Sequence, residues 1–194
     1  MIEAIAGIGT AFGLSGSAGL NAYIPLLVVA LAGRFPAGDP LIKLSSPYDL
    51  LSSWWAIGLL VILLVIEMTV DKIPAVDTLN DGIQTFIRPV AGAILFAGST
   101  SAINDMSPIL AILAGVLVAG GVHTTKGLVR PVVTASTAGT GNWAVSLTED
   151  IIAASMSLLA IFIPVLAGIL VIIFAIAIIL LIRRIRRRKQ NVRI

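Results

Sequence analysis

Five stretches without a formal charge dominate this sequence: Ala4 to Gly33, Leu50 to Ile66, Pro89 to Asn104, Met106 to Thr125 and Ile151 to Ile182. Most of them reach the roughly 20 residues that an α-helix needs to cross a hydrocarbon layer. Soluble domains average about 45–50% apolar and 25% charged residues, whereas 58% of this chain is hydrophobic and 12% charged. One aqueous core cannot hide that much apolar surface. The chain is expected to be all-α, a polytopic transmembrane helical bundle that forms a single domain over 1–184 with lipid as its solvent.

Charge placement orients the bundle. Of 13 basic residues, Arg183, Arg184, Arg186, Arg187, Arg188, Lys189 and Arg193 follow the last apolar run. A basic segment there, 185–194, reads as a cytoplasmic tail obeying the positive-inside rule, with anionic lipid headgroups as partners for Arg183 to Lys189 rather than nucleic acid. Six spans, near 4–32, 50–71, 89–104, 108–127, 147–163 and 166–184, keep Lys72, Arg88, Lys126, Arg130 and the tail inside and leave Arg34 and Lys43 outside. Both termini are then cytoplasmic. The N-terminal segment has no basic n-region and reads as a retained span.

Two segments admit alternatives. The thirty-two residues from Ile151 to Ile182 would extend about 48 Å as one helix, well past a core of about 30 Å. They either turn back near Pro164 and Gly168 or form one helix kinked at Pro164, which would leave five spans. In the first span, Gly13, Gly16, Gly19 and Pro25 either let helices pack closely or interrupt the helix where protein or a wet cavity shelters the freed backbone. After Pro74, Val76, Leu79, Ile83 and Phe86 share one helical face and Asp77, Asp81 and Arg88 another, so 75–87 reads as an interfacial helix. The uncharged loop 132–143 reads as a flexible or re-entrant connection.

A faint echo links AGLNAYIP at 18–25 with AGGVHTTK at 119–126, and Trp54 to Pro74 with Trp143 to Pro164. It would fit a 3+3 inverted repeat, an arrangement that sets transporter sites where broken helices meet.

Intramembrane ionisable groups are expensive enough to be functional candidates by default. Glu67 lies deepest, and Asp71 follows one helical turn later; two carboxylates so placed raise one pKa or recruit a cation. Asp77 and Asp81 extend the cluster. A hard cation at Glu67 and Asp71, or at Asp77 and Asp81, is the metal chemistry these ligands allow, against a reading of Asp71, Lys72, Asp77 and Asp81 as solvated charges; no other cofactor is implied. His123 is either a hydrogen-bonded packing residue or a proton relay. Asn21 is either helix glue or a contact for a solute, and Asn104 with Asp105 reads as glue near a span end. Lys72, Arg88, Lys126 and Arg130 balance charge, the last two against Glu149 and Asp150. The chain has no cysteine, which removes thiolate catalysis and cysteine-held metals, and no G-x-S-x-G, H-E-x-x-H or P-loop string occurs.

These residues favour a small transporter or channel for an ion or small polar solute, with proton coupling through the carboxylates. A lipid-handling membrane enzyme or flippase using the 75–87 helix, and a membrane assembly protein without its own ligand, are the alternatives; homo-oligomerisation is left open. The strings GLNAYIPLL, EMTVDKIPAVDTLNDGIQTFIRPVAG and SLTEDIIA, with Lys126 and Arg130 between them, resemble a bacterial multi-pass membrane family catalogued as domain of unknown function 4126. The resemblance covers nearly the whole chain and is most specific at Glu67, Asp71, Lys72, Pro74 and Asp77, followed by Arg88-Pro89. It implies a helical protein of the bacterial inner membrane and adds no activity, cofactor or ligand.

Overall fold

Prolines punctuate the chain. Pro74, Pro108 and Pro164 are each the first residue of a helix, the position where a missing N–H and a fixed φ are best tolerated. The computed structural model describes residues 2–36, 40–44, 46–70, 74–99, 106–137 and 140–191; the side chains of 2, 74–79, 81, 129, 181, 182 and 185–191 fall outside that description. Among the described residues the architecture is all-helical, with α1 (Ile2–Leu20), α2 (Tyr23–Arg34), α3 (Trp54–Val70), α4 (Pro74–Ser99), α5 (Pro108–Thr137), α6 (Asn142–Phe162) and α7 (Pro164–Asn191), plus a 3-10 turn at Tyr48–Ser52.

The first apolar run is not one rod. Helix α1 ends at Leu20, and the Asn21 side chain starts α2 by accepting the backbone N–H groups of Tyr23 and Ile24, both at 3.0 Å, as a capping residue does. Contacts fix the direction of each helix. The Ser15 hydroxyl lies 3.0 Å from the Gly92 carbonyl oxygen and the Phe12 and Phe96 rings meet edge to face, so α1 and α4 are antiparallel. At its far end α2 brings Gly33 against Leu44, which also reaches Gly98, so α2 runs parallel to α4 and antiparallel to α1. The expected single span over 4–32 is therefore two helices that reverse at Asn21.

The second long run also folds back. Thr10 donates to the Ala160 carbonyl and Ser17 to that of Ala153, whereas Gly9 rests on Pro164 and Gly16 on Val171. Hence α6 runs against α1 and α7 runs with it, reversing at Ile163 rather than kinking. The start of α1 and the end of α7 lie at opposite ends of the bundle. Among the described residues seven helices alternate in direction, so that α1 to α3 and α5 to α7 share one sense and are not related by inversion.

Two further expectations are corrected. The separate helix 75–87 and the span 89–104 form one continuous α4 through Ser99, and its polar face turns inward: Gln84 and Arg88 are buried while Ile83 and Phe86 are exposed. Packing against α5 wins over the interfacial arrangement, because Arg88 finds partners there. The loop expected over 132–143 shrinks to a short connection, since α5 continues through Pro131 to Thr137 and α6 starts at Asn142. Asn104 and Asp105 lie outside the described residues.

Small residues hold the helices together. Ala18, Ala22, Ala91, Ala119, Ala160 and Ala167 are fully or almost fully buried, whereas Trp55 and Leu117 are 91% and 73% exposed. Large apolar side chains coat the outside and small or polar ones fill the middle. A close backbone approach joins α4 to α5, where a Cβ added at Gly115 would lie 2.6 Å from the Cα of Ala93 and one at Gly92 would lie 2.8 Å from the Gly115 oxygen. By length and composition α5 and α6 are apolar enough to cross a membrane, and Tyr23–Arg34, Trp54–Val70 and Pro164–Leu180 are shorter apolar helices.

Gly115→Val or Gly92→Val must push α4 from α5, and each is expected to destabilise the fold by about 3 kcal/mol. Gly58 and Gly121 have nothing within 4 Å of an added Cβ, so alanine there should be neutral or stabilising by up to about 1 kcal/mol. Denaturant unfolding of the purified variants checks the contrast.

Candidate functional site

Helix α4 carries Gln84 and Arg88 four residues apart, on one face, and buries both at 1% exposure. An isolated guanidinium there would be prohibitive, and two neighbouring helices supply the remedy. From α3, Glu67, itself 2% exposed, accepts Arg88 Nη2 at 3.2 Å through Oε1. From α5, His123 Nδ1 lies 3.1 Å from Arg88 Nη1. A guanidinium has no acceptor, so Nδ1 must accept, which places the imidazole hydrogen on Nε2. That nitrogen lies 3.1 Å from the Thr85 hydroxyl and donates to it. A directed chain therefore links Glu67, Arg88, His123 and Thr85, crossing from α3 through α4 to α5 and back.

A second pair lies one turn along α5. Lys126 Nζ meets Glu149 Oε2 of α6 at 2.7 Å, with both side chains largely buried, and approaches the Leu20 carbonyl at 3.4 Å. Leu20 is the last residue of α1, where carbonyls lack helical donors and a cation is favourable. The neighbouring Asp150 accepts the Asn21 amide at 2.9 Å. Asn21 thus caps α2 with its oxygen and ties the reversal to α6 with its nitrogen. Tyr23, at the start of α2, is within hydrogen-bonding reach of Gln84. Arg130, also on α5, is buried as well.

The structure thus brings Glu67, Arg88, His123, Lys126, Glu149, Asp150 and Asn21 to one level of the bundle. Among the described side chains, three carboxylates, Glu67, Glu149 and Asp150, stand against three cations, Arg88, Lys126 and Arg130. Lys126 pairs with Glu149, Arg88 serves Glu67, and Asp150 accepts the Asn21 amide. Asp71 and Lys72 lie outside the described residues; Asp77 and Asp81 fall on α4, but their side chains are outside the description. Among the described residues no group of three or more His, Asp or Glu could hold a metal ion. Sequence reasoning passed over Gln84 and Thr85. Their signal was position: both fall on the helical stripe already marked by Asp77, Asp81 and Arg88.

Between α4 and α5 a cavity of about 270 Å³ opens beside this network, lined by Gly82, Thr85, His123, Lys126 and Gly127. Its cause is local. The two helices touch at Gly92 and Gly115; farther along, a Cβ added at Gly120 would lie 3.8 Å from Pro89, and one added at Gly82 or Gly127 would meet nothing within 4 Å. Pro89 and Pro131 sit inside their helices and have no N–H to give the carbonyls four residues back, those of Thr85 and Gly127. Both of those residues line the cavity.

Removing one partner of a buried ion pair leaves an uncompensated charge, at a cost of about 3–5 kcal/mol. Arg88→Met is expected to destabilise by that amount, and adding Glu67→Gln should recover at least half of it. A double-mutant cycle in denaturant checks this; additive losses would show that the two side chains do not interact.

No curated protein and no solved structure matches the chain. A family profile described as a domain of unknown function, DUF4126, matches residues 8–184, and by that match the chain belongs to the DUF4126 family.

Proposed function

We propose that the protein is a small integral membrane transporter or channel for an ion or small polar solute, coupled to protons through the network around Arg88. The observation that carries the reading is the gathering of opposite charges from four helices, α3 to α6, beside an open cavity, inside a bundle whose exterior is coated with large apolar side chains. Such an inside-out distribution suits a lipid solvent, where ionisable groups face the bundle interior and mark a pathway. A merely structural pair would be replaced by well-packed apolar side chains at little loss of stability.

The helix lengths support a particular arrangement in the bilayer. Glu67 lies about 20 Å along α3 from Trp54, and Arg183 about 28 Å along α7 from Pro164, by the rise per residue. Trp54 and Arg183 suit the two interfaces. The network then sits roughly two-thirds of the way across, with lipid-facing carbon on both sides. Helix α2, 12 residues long, extends only about 18 Å, too short to cross. So α1 and α2 form a re-entrant pair with its tip at Asn21, α3 to α7 cross five times, and the chain begins outside and ends with its basic tail in the cytoplasm. This places the N-terminus opposite the position expected from six spans, because the α1–α2 reversal removes one crossing. A helix broken at the depth of the polar groups is the arrangement in which transporters bind their cargo.

Coupling follows from the hydrogen-bond directions. A proton added to His123 Nδ1 would remove the acceptor that holds Arg88 Nη1 and bring two cations face to face. Around His123 stand Arg88 and Thr85 from α4 and Lys126 from its own helix, with Glu67 of α3 behind Arg88 and Glu149 of α6 behind Lys126. Protonation would therefore be relayed to the Glu67 ion pair.

Two experiments test the reading. The chain lacks cysteine, so single variants Glu3→Cys, Asp49→Cys and Arg184→Cys report sidedness directly: an impermeant thiol reagent is expected to label the first two from outside and the third only from inside. In proteoliposomes, Glu67→Gln should lower solute flux at least tenfold and His123→Gln should flatten its pH dependence. Unaltered flux and pH profile in both variants would refute the assigned roles.

A further inference from the structure

We propose that the cavity between α4 and α5 binds a small oxyanion, a carboxylate or phosphoryl group, on Lys126; the consequence for transport rests on the reading above, while the binding itself does not. The Lys126 ammonium has three donors. Glu149 takes one at 2.7 Å and the Leu20 carbonyl lies near a second at 3.4 Å, which leaves the third for whatever occupies the cavity that Lys126 lines. Thr85 sets a hydroxyl at the exposed rim, its position held by His123.

Charge selects the occupant. The described lining holds two basic side chains, His123 and Lys126, and no carboxylate. A cation would meet the ammonium, and an uncharged solute would gain little from it. An oxyanion forms a charge-assisted hydrogen bond, about twice as strong as a neutral one. Shape agrees: Gly82 and Gly127 have nothing within 4 Å of an added Cβ, so a ligand can lie directly against both helix backbones. A volume of about 270 Å³ falls below the roughly 300–1,000 Å³ of pockets for drug-sized ligands, which limits the site to a small anion or to the headgroup of a lipid reaching in from the rim.

The test uses the full-length protein purified in detergent. Formate and inorganic phosphate are titrated by calorimetry, and in parallel the protein is placed in nanodiscs of phosphatidylcholine with or without phosphatidylglycerol and analysed for bound lipid. Expected is one anion per chain, with affinity reduced at least tenfold by Lys126→Gln and about threefold by Thr85→Val. Lys126→Gln also leaves Glu149 without its cation, which by itself destabilises the fold. Gly127→Leu avoids the difficulty, because its side chain enters open space while filling the cavity, and it should abolish binding in a protein of wild-type stability. Phosphatidylglycerol retained by the wild type and lost in Gly127→Leu, without soluble-anion binding, would identify the oxyanion as a headgroup and uphold the site. Neither kind of binding in a protein that still supports flux would overturn the site, as would binding indifferent to Gly127→Leu. Binding without flux would instead sink the transport reading and leave the site standing.

Discussion

The bundle turns on one side chain. Asn21 accepts the first N–H groups of α2, donates to Asp150 on α6, and by ending α1 presents the Leu20 carbonyl to Lys126. Without a residue able to accept and donate at once, an apolar run as long as 4–33 would continue as a helix, since each added residue gains a hydrogen bond once the helix is started. The amide makes reversal cheaper than propagation by satisfying the backbone groups that reversal frees. Because α1 then stops beside α5 and α6, the helix ends, the cap and the ionisable groups gather at one level.

Burying charge at that level is unfavourable taken group by group. The effective penalty is several kcal/mol for each ion, and the network meets part of it by pairing: Arg88 has a carboxylate and an imidazole, and Lys126 a carboxylate and a helix-terminal carbonyl, while Arg88 Nε and Gln84 Oε1 stay buried without a hydrogen-bond partner. The same requirement decides how α4 rotates about its axis. With Arg88 turned outward, Glu67 would lose this ion pair; with Arg88 inward, Phe86 and Ile83 must point out. The amphipathic pattern of 75–87 is real, but which face becomes the interior depends on partners that lie on α3 and α5, far away in sequence.

That dependence explains what could and could not be read beforehand. Helix content was legible because apolar runs and proline starts are local properties, and so were the candidates Glu67, Asn21 and His123, since polar groups within such runs are conspicuous. The reversal at Asn21 is one of two readings that the local sequence allows. A Gly-Ser-Gly-rich segment ending in Asn and Pro suits close packing as well as a break, and only Asp150, 129 residues on, favours the break. The orientation of α4 and the pairing of Arg88 with Glu67 required tertiary contacts. The error over 132–143 has a different origin: Pro131 and the small polar residues after it look like breakers, yet a helix tolerates a proline when the carbonyl it deprives can be served from elsewhere.

The placement of Pro89 and Pro131 connects packing to chemistry. Glycine contact at Gly92 and Gly115 draws α4 and α5 together over one segment, and straight helices packed so tightly would leave no room farther along. Each proline lies beyond that contact and withholds a donor from the residue one turn back, and those two residues, Thr85 and Gly127, border the gap. The cavity is therefore not slack left by imperfect packing, because an apolar void of that kind would lose contacts with no return. It lies where the backbone offers polar groups and where Lys126 and His123 come within reach of a ligand. A site built this way needs no mobile lid to be selective, since the tight contact on one side and the ion pairs on the other fix its walls.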